Sequence, residues 1–205
     1  MKKIICYGDS NTFGFNPVDG TRYGEDTRWT ALLQKKLSSE YKIINEGCCD
    51  RTGFIKNPKG FIFSGNKHFP KFISNQKDID VLIFWVGTND LQSQYNITMG
   101  TIEKGLEDII DLASEKAKNI IIIPPVILSE NVLEGSFSFQ FNETSVTKSR
   151  KIGRIFRQLA NVKQCLYFDI NKITSPSDFD GLHYDETSHK LIACSLYDFI
   201  KDNIK

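Results

Sequence analysis

The chain has 205 residues, 40% of them hydrophobic and 25% charged, with a formal net charge of +1. One α/β domain spanning residues 1–205 is the expected organisation, and such a chain can bury a substantial core. The near-zero charge provides no global field for nucleic acid or an anionic membrane surface, and no apolar run reaches the ~18 residues of a membrane span.

Five short apolar runs appear in chain order: Lys3–Tyr7, Lys42–Asn45, Val81–Val86, Asn119–Pro124 and Cys165–Asp169. They are nearly continuous rather than alternating, which predicts strands buried on both faces of a parallel sheet. The first run breaks at Gly8-Asp9, too early for a signal peptide, and reads as a strand. Amphipathic helices are predicted over Arg28–Ser39, Thr101–Lys118, Thr144–Asn161 and Thr187–Ile204. In the second, Leu106, Ile109, Ile110 and Ala113 recur at helical spacing. The alternation predicts a three-layer α/β/α fold around a flavodoxin-like, doubly wound, five-stranded parallel sheet.

Two long connections stand out. Gly47–Lys77 carries Phe54, Phe61, Phe63, Phe69 and Phe72 and reads as a loop, while Pro125–Asn142 ends in the aromatic run Phe137–Phe141. Those aromatics could cover a site, fill a local core or form an oligomer contact, so a homo-oligomer stays open. The five cysteines (Cys6, Cys48, Cys49, Cys165, Cys194) are odd in number and form no C-x-x-C pair. Reduced thiols in a cytoplasmic protein are expected, with no metal site.

Chemistry-bearing residues follow the strands: Gly8-Asp9-Ser10 after the first, Asn45-Glu46-Gly47 after the second, Gly87-Thr88-Asn89-Asp90 after the third, and Asp180-Gly181-Leu182-His183 before the last helix. A serine nucleophile needs a neighbouring base. Of three histidines, His68 lies in the first long loop and reads as solvated, and His189 falls in the last helix, where packing or a surface hydrogen bond accounts for it. His183 is left as the base, with Asp180 across a glycine turn to fix its tautomer. Backbone N–H groups of Ser10 and Gly47 and the Asn89 amide are candidate oxyanion donors. Asp9 reads as a turn-capping carboxylate, Asp90 as a cap of the turn or helix after the third strand, and Asp169 as structural at a strand end; Trp29 and Trp85 read as in or near the core, with Trp85 near enough to Gly87 to line a pocket.

GDSNTFGF (Gly8–Phe15), N-x-G (Asn45–Gly47), GTND (Gly87–Asp90) and DGLH (Asp180–His183) resemble, in order, the sequence blocks of the SGNH (GDSL-like) hydrolase superfamily. RYGEDTRW (Arg22–Trp29) is further similar to its arylesterase and acyltransferase branch. The resemblance implies a serine esterase acting on small carboxylic esters, short acyl or acetyl esters first, without a cofactor. It implies Ser10 as nucleophile, His183 as base, Asp180 as its partner, and Ser10, Gly47 and Asn89 as the oxyanion hole. Acyl transfer and thioester cleavage use the same site and remain alternatives. In one departure, Cys48-Cys49-Asp50 stands where the family often carries a small residue, beside the expected acyl pocket.

Two rivals from other classes are weaker. A haloacid-dehalogenase-type phosphatase would use D-x-D-x-T/V, but Asn11 and Phe13 follow Asp9 at those positions, so the second carboxylate for Mg²⁺ is missing. No phosphate loop or dinucleotide fingerprint is present. A non-catalytic binding module on the same fold would be expected to lack at least one of the five candidate residues.

Overall fold

The structure, a computed structural model, describes residues 1–56 and 64–204. Its sheet contains β1 (Lys2–Gly8), β2 (Tyr41–Gly47), β3 (Ile79–Trp85), β4 (Ala117–Ile122) and β5 (Leu166–Tyr167), in the order β2-β1-β3-β4-β5. Every pairing is parallel. This is the doubly wound order expected from the apolar runs. Ile4, Ile5, Val81, Leu82 and Ile83 are wholly buried, as strands covered on both faces must be.

Among the described residues, six α-helices accompany the strands: α1 (Ser10–Phe13), α2 (Trp29–Leu37), α3 (Gly65–Ser74), α4 (Met99–Ser114), α5 (Glu143–Val162) and α6 (Glu186–Asn203). Helices α2 and α6 pack together, while α3, α4 and α5 contact one another in series. Right-handed crossovers put these two groups on opposite faces of the sheet. Asn142 and Ser145 close a reciprocal capping box at the start of α5, and the Asp185 side chain caps α6. No described helix is long and apolar enough to cross a membrane.

Three differences from the predicted elements have local causes. Helix α4 stops at Ser114, because Ala117 and Lys118 already belong to β4. Strand β5 has only two residues, at the sheet edge, before Asp169 leads into a short 3₁₀ turn. Residues expected to be a loop contain α3, whose Phe69 and Ile73 are buried even though Pro70 removes a donor inside it. His68 consequently sits on a helix, half-buried, its Nδ1 3.1 Å from the Tyr7 hydroxyl, rather than solvated in a loop. Phe61 and Phe63 lie outside the described residues.

His189 is fully buried on α6, where its Nδ1 accepts the Trp29 N–H at 3.3 Å and helps hold α2 against α6. Burial pushes its imidazole down to about 4. The unfolded chain takes up that proton near 6.5, the folded protein only near 4, so folding loses stability as pH falls through this window and levels off below it. Buried Asp9 and Asp90, both raised to about 6 by desolvation, act in the opposite sense. The comparison that isolates His189 is therefore wild type against His189→Gln. The stability gap between them should shift by about 3 kcal/mol in the variant's favour between pH 7 and pH 4. Urea midpoints across that range measure it, and a gap that stays constant would contradict a buried neutral imidazole.

Candidate active site

The topological switch point, where the strand order reverses, falls between β1 and β3, and open α/β sheets place ligands beyond strand ends there. Ser10 follows β1 and opens α1. The Asp9 carboxylate accepts the Asn11 N–H at 3.0 Å, and the Asp9 carbonyl accepts those of Thr12 and Phe13. This N-cap tightens the turn and leaves the Ser10 N–H, at the first helical position, with no intrahelical acceptor.

The Ser10 hydroxyl lies 2.9 Å from His183 Nε2, and His183 Nδ1 lies 2.6 Å from Asp180 Oδ2. The other Asp180 oxygen accepts the N–H groups of Leu182 and His183, each at 2.9 Å. Gly181 makes this tight return possible, with φ +69. Burial opposes the Asp180 charge, but the His183 ring and the two backbone donors outweigh it and hold the carboxyl below its ordinary value. In the tautomer with the proton on Nδ1, the Asp180 carboxylate accepts from the ring and Nε2 is the acceptor that faces the Ser10 hydroxyl.

Asn89, just after β3, is 6% exposed. One of its amide hydrogens goes to the Arg51 carbonyl at 3.1 Å, and its carbonyl accepts from Gln92 at 3.3 Å. Among the described residues, the second amide hydrogen meets no acceptor. Ser10, Asn89 and His183 line one small cleft of about 90 Å³, together with Phe15, Cys49, Asp50, Phe137, Gln140 and Leu182.

Gly47 is not part of that lining. Its N–H donates to Asn45 Oδ1 at 2.9 Å, and a Cβ there would stand 2.1 Å from the Phe13 nitrogen. The glycine serves the close packing of β2 against α1 instead of presenting a donor to the cleft. Asn45, the first residue of N-x-G, clamps the same contact through its amide to the Thr12 carbonyl at 2.7 Å. Three residues further on, Asp50 adopts left-handed φ +57, and among the described residues its N–H meets no acceptor. Beside Cys49, Asp50 reaches the cleft from this turn. Its signal in the sequence was faint: aspartate is one of the few side chains that tolerate this backbone region.

Asp9 is a cap, as expected. Asp90 caps no helix after β3; its carboxylate accepts the N–H groups of Gly53, Phe54 and Ile55 at 2.6, 2.7 and 2.9 Å. Asp169 takes the Tyr167 hydroxyl at 3.2 Å. Trp85 packs on Trp29 and Tyr184 in the core and does not line the cleft. The run Phe137–Phe141 divides: Phe137 and Gln140 face the cleft, Phe141 is buried, and Phe139 is exposed. Phe15 and Phe137 flank the His183 ring with centroids at 4.3 and 5.2 Å. A larger groove of about 360 Å³, along α5 and β5, shares no lining residue with this cleft.

A serine, histidine and aspartate hydrogen-bonded in series beyond the ends of a parallel sheet form the arrangement of an acyl hydrolase. Residues 6–191 match the model of the GDSL-like lipase/acylhydrolase family. The chain belongs to that family, and it is a serine-dependent carboxylic ester hydrolase. The aryl esterase of M. smegmatis superposes with a TM-score of 0.88 at 25% identity, covering 98% of this chain and 99% of that one. A carbohydrate acetylesterase family member from Sinorhizobium meliloti gives 0.88 at 26%, covering 98% of each chain. A lipase/acylhydrolase from Enterococcus faecalis, at 21% identity, shares the fold with a TM-score of 0.71, over 100% of this chain and 98% of that one. None of the curated proteins matches the chain.

Gly47→Ala should destabilise the fold by about 1–3 kcal/mol, the usual range for overpacking. Denaturant unfolding reads this directly, and a variant as stable as wild type would return Gly47 to the cleft.

Proposed function

We propose that the protein hydrolyses short-chain carboxylic esters through an acyl-enzyme on Ser10, with His183 as base and Asp180 as its orienting partner. The observation that carries this reading is the 2.9 Å approach of Ser10 Oγ to His183 Nε2, continued by the 2.6 Å link to Asp180. As Oγ attacks the acyl carbon, its proton passes to Nε2 and the carbonyl electrons move onto oxygen. Collapse of this intermediate breaks the ester C–O bond, and the alcohol leaves with the proton from His183. A water then gives its proton to His183, attacks the acyl carbon and releases the acid, and Ser10 recovers its hydrogen.

The developing oxyanion is held, in this proposal, by the N–H groups of Ser10 and Asp50 and by the free amide hydrogen of Asn89. Asp50 here takes the part that the N-x-G resemblance gave to Gly47, because the Gly47 N–H is already spent on Asn45. The five cysteines are all free, which supports a reducing, cytoplasmic setting.

Replacing Ser10 with Ala should abolish turnover of nitrophenyl acetate and labelling by a fluorophosphonate, with the melting curve retained. Labelling of the folded variant would remove Ser10 from the mechanism. Asn89→Ala should cut kcat by about 10²–10³, the usual loss for one oxyanion donor.

The acyl preference follows from the walls. The cleft of about 90 Å³ is walled by Phe15, Phe137 and Leu182, small beside the ~300–1,000 Å³ of an ordinary ligand pocket. Acetyl and other short acyl groups fit. Across nitrophenyl esters of increasing length, kcat/KM should be highest for the shortest chains, and Phe137→Ala should move the optimum to longer ones. A wild-type optimum at octanoate would sink the preference. The same acyl-enzyme serves transfer to an alcohol, which product analysis in added methanol would reveal.

A further inference from the structure

Arg51 is 2% exposed, among the largest fully buried side chains in the molecule. A guanidinium at such depth has to be held by acceptors, since burying an isolated charge is costly. Its Nη1 donates to the Gly8 carbonyl at 3.0 Å and also to the Glu46 carbonyl, and its Nη2 donates to Glu46 Oε1 at 3.1 Å. The charged plane stands 4.1 Å from the centroid of the Tyr7 ring, within cation–π range. One side chain thus gathers the carboxyl ends of β1 and β2.

The main chain of the same residue completes the pattern. The Arg51 N–H turns back to the Cys48 carbonyl at 3.4 Å, closing the turn on which Asp50 sits. The Arg51 carbonyl takes one amide hydrogen of Asn89. Each proposed oxyanion donor is therefore tied to this residue. The Ser10 N–H lies two residues beyond the Gly8 carbonyl, Asp50 is its neighbour in the chain, and Asn89 is aimed by its carbonyl.

Resting on the ester-hydrolase reading above, we infer that Arg51 is the positioning residue of the oxyanion hole, setting the three donors in mutual register without itself touching the substrate. An aligned trio matters because displacement of a reacting group by about 1 Å can cost 10²-fold in rate. Lysine cannot take its place: a single ammonium is a point charge without the planar fork that bridges two carbonyls and a carboxylate.

The test compares Arg51→Lys with wild type on nitrophenyl acetate and on a trifluoromethyl ketone, whose hydrated or serine-bound form imitates the tetrahedral oxyanion. Expected are a fall in kcat of about 10- to 100-fold, a KM within about twofold because donor alignment matters in the transition state, and a matching loss of ketone affinity. In Arg51→Ala, added guanidinium should restore part of kcat. A folded Arg51→Lys with wild-type kcat, or one that is merely less stable while ketone affinity is unchanged, overturns the inference. Should Arg51→Lys fail to fold, Glu46→Gln loosens Nη2 while leaving the Gly8 bond. It should lower kcat and ketone affinity together, and unchanged ketone affinity in it is equally fatal. Wild-type protein inert to both ester and fluorophosphonate would instead defeat the hydrolase reading itself, an outcome separate from any Arg51 result.

Discussion

The Asn11 side chain joins the two segments on which the candidate chemistry depends. Its amide donates to the Leu182 carbonyl at 3.3 Å, and its carbonyl accepts the Tyr184 N–H, also at 3.3 Å. These two bonds hold the start of α1 against the turn that carries His183, although Ser10 and His183 are 173 residues apart in sequence. Both partners are backbone groups flanking residue 183, so the register of that turn is determined from both sides. Buried amides of this kind are costly when half satisfied and specifying when fully satisfied. Around this link the rest falls into order: Asp9 shapes the turn under Ser10, and Asp180 orients the imidazole.

The second constraint is close backbone approach. Helix α1 lies so near the end of β2 that the strand must finish in glycine, and Asn45 must spend its side chain on the contact. A residue type that looks poised to admit a ligand is used here to admit another part of the same chain. The donor face of that connection then moves on to the turn at Cys48-Cys49-Asp50, where the backbone enters the left-handed region. Chemistry and packing share the strand ends, and neighbouring residues divide the two tasks.

Much of this was legible in the residues alone. Continuous apolar runs such as Val81–Val86 belong to strands with no wet face, and polar, nucleophilic residues after several of them pointed to one sheet edge. Ser10, Asn89, Asp180 and His183 do meet there. What was not legible depended on where strands stop and which way a single N–H points. Strand β2 runs two residues past its apolar stretch, so the Gly47 donor is consumed inside the fold and the cleft is reached at Cys49 and Asp50. Helix α3 was hidden by Pro70 and by a glycine start, both signals that ordinarily mark loops. The division of Phe137–Phe141 among cleft, core and surface is a tertiary outcome with no periodic signature.

One feature of the polar interior bears on dynamics. The Asp90 carboxylate gathers three consecutive amides, Gly53 to Ile55, in a concavity of the kind that elsewhere cradles an external anion. Here the anion is supplied by the protein, and it comes from the residue after Asn89. The segment leading away from Asp50 is thereby fastened to the end of β3. Amides in a connection without regular structure usually exchange with solvent through small local openings. These three can be released only by unseating a buried carboxylate from the core. In deuterated water they would retain their hydrogens on the timescale of the central strands, so that a loop by conformation behaves as part of the rigid scaffold.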